Sequence, residues 1–243
     1  MIYVLSDIHG HRRRFDSIMR QIDLRPEDTL YVLGDVIDRN PHGIKILRQL
    51  MAMPNAKMLL GNHEYMMLDA LYYPHDDYAF GWQYQQEQRM DFWYCNGGAV
   101  THNYLKHIRK TLRTEIFEYL NKLPLNAEIS VNDKRYILTH AAPVALFDEY
   151  RLSTRYKHEK DFAVWYRFNG DEEHPCDATV IFGHTVTHHY QDADPLKIWH
   201  GKGLIGIDCG AAYPDSENPL IRAKGRLACL RLDDMKEYYS EEV

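Results

Sequence analysis

Six polar residues of metal-ligating type stand directly behind short apolar runs. Asp7 and His9 lie in Ser6-Asp7-Ile8-His9-Gly10, Asp35 in Gly34-Asp35-Val36-Ile37-Asp38-Arg39, and Asn62 in Gly61-Asn62-His63-Glu64. His140 closes Thr139-His140-Ala141, and His184 sits in Phe182-Gly183-His184-Thr185. Carboxylates, imidazoles and an amide are hard and borderline donors, suited to divalent manganese, iron or zinc. No thiolate belongs to the set, which argues against a structural zinc site. Six donors exceed what one catalytic metal with an open position accepts. They suit two cations ~3.5–4 Å apart that share one carboxylate. Asp35, on the middle of three runs, is the natural bridge.

Taken singly these pieces are ordinary. An Asp-x-His is more often a cap or a turn, and one histidine more often a satisfied core residue. The weight lies in five pieces occurring in order, each at the end of an expected strand. Those strands are "IYVLS" (2–6), "TLYVLG" (29–34) and "AKMLLG" (56–61), then "AEISV", "RYILTHA", "ATVIFGH", "GLIGIDCG" and "RLACLRL".

Between the first strands, Phe15, Ile18, Met19 and Ile22 repeat at helical spacing. Asn40-Pro41 reads as a cap and first turn for a helix through Ile44, Leu47, Leu50 and Met51. Glu64 to about Tyr72 reads as a third helix. Apolar positions from Leu105 to Leu123 keep one helical period up to Pro124. Alternating strands and helices imply a mostly parallel sheet, whose ligands bind outside the carboxyl ends of its strands. Later strands joined by short turns such as Asn132-Asp133 suggest antiparallel pairing. The fold class expected is α/β (α+β), with two packed mixed sheets flanked by helices in one domain, 1–243.

The 243 residues are 45% hydrophobic with net charge −6, enough for a core and unsuited to non-specific nucleic-acid binding. Cys95, Cys176, Cys209 and Cys229 form no CxxC pair. No signal peptide or membrane span is read, so a reducing cytoplasm is expected.

"SDIHG", "GDVIDR", "GNHE", "THA" and "FGHT" resemble the signature of the calcineurin-like metallophosphoesterases. The closer resemblance is to the metal-dependent phosphoprotein phosphatases of bacterial and phage serine/threonine type. It runs from residue 2 to about 213. It implies that Asp7, His9 and Asp35 hold one metal, and Asp35, Asn62, His140 and His184 a second. Manganese is the first choice, with iron or zinc as alternatives. It further implies His63 as general acid oriented by Asp38, Arg39 as a phosphate clamp, and Arg167 in "AVWYR" as a second one. Ser6 departs from the family's usual glycine.

The reaction implied is hydrolysis of phosphoserine and phosphothreonine monoesters by a metal-bridging hydroxide. Its partner is a phosphoprotein or phosphopeptide, with no nucleic acid and no membrane. The alternative is a symmetrical dinucleoside polyphosphate (diadenosine tetraphosphate) hydrolase of the same fold. Those enzymes resemble GDxxxRG and GNHD, whereas this chain has Asp38 and Glu64. Many phosphodiesterase relatives carry GHxH, where this chain has Val186. His188-His189 is expected in a solvated loop, and "FWYCNGG" (92–98) as an aromatic wall plus a turn.

Overall fold

The chain begins with β1 (Ile2–Leu5), α1 (Arg12–Ile22), β2 (Thr29–Val32), α2 (Gly43–Ala52), β3 (Ala56–Met58) and α3 (Asn62–Leu71). The computed structural model describes residues 1–73, 82–150, 155–156, 158–170, 177–192, 194–212, 219 and 224–241. β1 pairs with β2, and β2 with β3, in parallel. Period-two alternation sorts their side chains. Tyr3, Leu5, Leu30 and Val32 face the helices, where Phe15, Ile18 and Leu47 are buried. Val4, Tyr31 and Leu33 face the opposite way.

Three helices follow: α4 (Trp82–Cys95), α5 (Ala99–Lys106) and α6 (Lys110–Asn121). Next come β4 (Asn126–Val131), β5 (Lys134–Thr139), α7 (Phe147–Tyr150), α8 (Glu159–Trp165) and β6 (Thr179–Phe182). The last strands are β7 (Trp199–His200), β8 (Leu204–Gly206), β9 (Ala228–Arg231) and β10 (Lys236–Tyr239). The first sheet runs β10-β9-β1-β2-β3 and the second β4-β5-β6-β8-β7. Leu138 and Ile181 of the second sheet share a core with Val4 and Leu33 of the first. Ile137, Val180 and Phe182 face outward onto Phe162 of α8. Two mixed sheets, packed face to face with helices outside, are the architecture expected.

Several boundaries differ from the sequence expectation. α2 begins at Gly43, not at Pro41, because Asp38 and Arg39 are left-handed, with φ of 70° and 64°. Asn40 does not cap this helix; its amide donates to the His9 carbonyl at 3.0 Å. The single helix expected from 105 to 123 is two, broken where Arg109 takes an extended conformation (ψ 144°). The later strands pair mainly antiparallel, as expected, with β9–β10 and β9–β1 antiparallel in the first sheet, but the middle of the second sheet does not. β5 with β6 and β6 with β8 are parallel, and only β4–β5 and β7–β8 run antiparallel in that sheet. β9 returns to the first sheet, with Leu230 opposite Val4. The Asn132-Asp133 turn is as expected: both residues have positive φ, the conformation a tight hairpin needs. Among the described residues, no helix is long and apolar enough to cross a membrane.

Candidate metal centre

The polar strand ends meet at one edge of the two sheets. Backbone hydrogen bonds knit the loops together: Asp7 N to Gly34 O at 3.2 Å, His9 N to Asp35 O at 2.9 Å, and Gly183 N to His140 O at 2.9 Å. Among the described residues, Asp7, His9, Asp35, Asp38, Arg39 and His184 are left-handed. Each such non-glycine residue costs of order 1–3 kcal/mol and persists only where surroundings over-determine it. Here the conformation returns the side chain to the sheet edge. Gly61 and Gly183 sit so close that a Cβ would overlap Asp35 Oδ1 and Asp7 Oδ2.

All six expected ligands are buried, none more than 8% exposed. His140 Nδ1 lies 2.8 Å from the Leu33 carbonyl. It must therefore donate, which leaves Nε2 as a lone pair. That lone pair faces Asn62 Oδ1 at 2.9 Å and Asp35 Oδ1 at 3.5 Å. His184 Nδ1 faces the same Asn62 oxygen at 3.0 Å. His9 repeats the arrangement. Its Nδ1 lies 3.0 Å from the Ile37 carbonyl. Its Nε2 lies 3.4 Å from Asp35 Oδ2 and 3.9 Å from Asp7 Oδ1. The His140 and His9 lone pairs converge with carboxylate and amide oxygens, an arrangement that suits cations.

Burial acts in the same direction. It pushes the Asp7 and Asp35 carboxyls up and holds the His9, His140 and His184 imidazoles below their usual range. Neutral imidazoles are the ligating form, and a cation repays the buried carboxylates. Two clusters of donor atoms, each within 4.8 Å, share Asp35: His9 with His63, and His140 with His184. The residues fit a dinuclear centre with Asp35 as the common ligand. In the first cluster, His63 already has Asp38 at Nδ1 and Arg39 at Nε2. Asp7 is therefore the better third donor.

His63 Nδ1 lies 2.8 Å from Asp38 Oδ2, and both residues are buried. Arg39 contacts His63 Nε2 at 3.0 Å. Burial holds His63 down at about 3 and pushes Asp38 up to about 7. Arg167 is exposed at the rim. It donates to the His184 carbonyl at 3.2 Å and to Thr185 Oγ1 at 3.1 Å. All ten candidate residues are thus brought to one place.

Three contributors carry no role in the sequence reading. Glu64, fully buried, accepts the N–H groups of Asp35, Val36 and Ile37 at 2.8, 2.9 and 3.2 Å. It shapes the loop that presents the shared carboxylate; its place in "GNHE" was the only signal. Asp208, behind β8, is buried and pushed up to about 8 by burial and by Asp7. The strand-end rule applied to "GLIGIDCG" finds it.

Trp93 is the third. The "FWYCNGG" segment is not only a wall: Trp93 Nε1 donates to Asp38 Oδ2 at 2.8 Å. Arg39 N donates to Gly97 O at 3.0 Å, and Asp38 N to Thr101 Oγ1 at 3.0 Å. This segment clamps the strained Asp38-Arg39 pair. Trp93→Phe keeps an aromatic ring but leaves the space of the second indole ring empty and removes one hydrogen bond to a buried carboxyl. Denaturant unfolding of the metal-free protein should show a loss of about 1–3 kcal/mol. An unchanged midpoint would show that the bond contributes nothing.

His189 is exposed, as expected of a solvated loop, but its neighbour is more enclosed. His188 is half-buried in a short 3-10 turn, and both rings line a cavity beside His184.

A family model described as calcineurin-like phosphoesterase matches residues 1–195. A symmetrical bis(5'-nucleosyl)-tetraphosphatase of Acidovorax ebreus is 38% identical over 73 residues, which is 29% of this chain and 26% of that protein. The match thus spans about a quarter of that relative's length. A metallophosphoesterase from Sphaerobacter thermophilus superposes with TM-score 0.54 at 14% identity, covering 100% of this chain and 88% of that one. A serine/threonine protein phosphatase from Saccharomyces cerevisiae gives 0.55 at 14% identity, covering 100% and 80%. At such identities the two structures show a shared fold.

Proposed function

This chain belongs to the calcineurin-like phosphoesterase family, and on that premise we propose that it hydrolyses phosphoserine and phosphothreonine monoesters of proteins. One observation carries the choice: the buried His63–Asp38 pair at 2.8 Å, with His63 Nε2 3.8 Å from Asp35 Oδ2. A serine or threonine alkoxide leaves poorly unless it is protonated, and a positioned acid beside the metal ligands meets that need. A phosphate leaving group, as in a dinucleoside polyphosphate, needs it far less.

Asp7, His9 and Asp35 would hold one divalent cation, and Asp35, Asn62, His140 and His184 the other, with manganese as the first metal to test. Two such cations supply Lewis acidity and lower the pKa of bound water towards ~7. The chain's own groups do the rest. Arg39 and Arg167 bind phosphoryl oxygens and stabilise charge as it spreads over them. Arg39 now contacts His63 Nε2, the atom that must deliver the proton. Its guanidinium has to turn to the substrate before His63 acts. Asp38 fixes the ring through Nδ1.

The named tetraphosphatase relative favours a second reading, a dinucleoside tetraphosphate hydrolase. The test is a parallel assay of the manganese-loaded protein on a phosphoserine peptide and on diadenosine tetraphosphate, with p-nitrophenyl phosphate as control. Faster phosphate release from the peptide supports the first reading, and faster cleavage of the dinucleotide replaces it with the second.

A further inference from the structure

Arg167 and His184, at the rim of the metal centre, also line a cavity of about 580 Å³. Its other walls include Asn169, Thr185, His188 and His189. The volume lies within the usual range of ligand pockets, ~300–1,000 Å³. Among the described residues lining it there is no aspartate or glutamate, in a chain whose net charge is −6. The cavity is therefore a local exception to the acidic character of the whole. The His188 and His189 rings lie 4.1 Å apart, and the buried Nδ1 of His188 has no hydrogen-bond partner among the described residues. A buried polar atom left unpaired beside a cavity is a group that a ligand or a shift of the ring could satisfy. Burial, then the charge of His188 and Arg167, holds the His189 imidazole below its usual range.

We propose that this cavity is an anion subsite that takes a second acidic group of the substrate, held by Arg167 and the His188-His189 imidazoles. The inference rests on the reading of the adjacent centre as a phosphoesterase site, and it names the substrates that site prefers. These are phosphoesters carrying another anion close to the scissile phosphate. Guanidinium and imidazole N–H groups give an anion charge-assisted hydrogen bonds. The absence of lining carboxylates removes the repulsion that would oppose it.

The experiment is competition by short phosphoserine peptides against p-nitrophenyl phosphate hydrolysis by the manganese-loaded protein. One peptide has alanine beside the phosphoserine on both sides, one aspartate, one lysine and one a second phosphoserine. Competition reads binding whether or not a peptide is cleaved. The subsite can therefore fail while the proposed activity stands, or hold while that activity fails.

The aspartate or doubly phosphorylated peptide should compete about 10-fold better than the alanine one, a factor worth ~1.4 kcal/mol, and the lysine peptide worst. The better of the two acidic peptides identifies carboxylate or phosphate as the group held. His188→Asn with His189→Gln should erase the order while leaving turnover of p-nitrophenyl phosphate unchanged. His189→Gln alone, at an exposed position, should weaken it and guards against misfolding of the double variant. Equal competition by all four peptides, or an order that survives both variants, overturns the proposal.

Discussion

Asp35→Asn should strip both metals from the protein and slow p-nitrophenyl phosphate hydrolysis by at least ~10³-fold, roughly 4 kcal/mol of barrier. The two donor clusters have only Asp35 in common. Its Oδ2 faces His9 and its Oδ1 faces His140, at 3.4 and 3.5 Å. An amide offers one oxygen and no charge, so it cannot serve two cations at once. The substitution is otherwise mild. Asn tolerates the left-handed backbone that Asp35 adopts at φ 55°. Its amide oxygen can still accept the His63 N–H that Oδ1 accepts at 2.9 Å. The metal-free variant should therefore unfold close to the metal-free parent, and elemental analysis isolates the metal effect. Two metals per chain in Asp35→Asn would remove the bridging role.

The second large effect separates substrates. His63→Asn should lower turnover of a phosphoserine peptide by about 10²–10⁴-fold, the usual contribution of a general acid. p-Nitrophenyl phosphate, whose leaving group is stable without a proton, should lose less than about a tenth of that factor. The structure gives the contrast its basis. His63 touches Asp38 and Arg39, and its N–H anchors on Asp35. Its ring is thus free of the ligand role that the clustering of donors alone would assign it. Equal losses on both substrates would show that His63 serves the metals or the fold and not the leaving group.

The amino-acid sequence by itself determined the donor types, their order and their positions behind apolar runs. It also determined the short apolar runs that become β1, β2 and β6. These are local properties: an apolar run and a polar residue after it are legible in a few neighbouring letters. Only the tertiary structure decided which sheet each later strand joins. "RLACLRL" reads as any buried strand, yet β9 lies beside β1, more than two hundred residues away in the chain. Likewise α2 starts late because the site forces Asp38 and Arg39 out of helical conformation, a demand set by contacts with Gly97 and Thr101. Trp93 looked like packing because an indole is apolar over most of its surface. Its single N–H found Asp38, 55 positions earlier, through folding alone. His188-His189 looked like loop for the converse reason: polar letters near a turn do not reveal that the turn lines a cavity. Ligand identity follows from side-chain chemistry, which each residue carries with it. The positioning of those ligands depends on long-range contacts, which no short stretch contains.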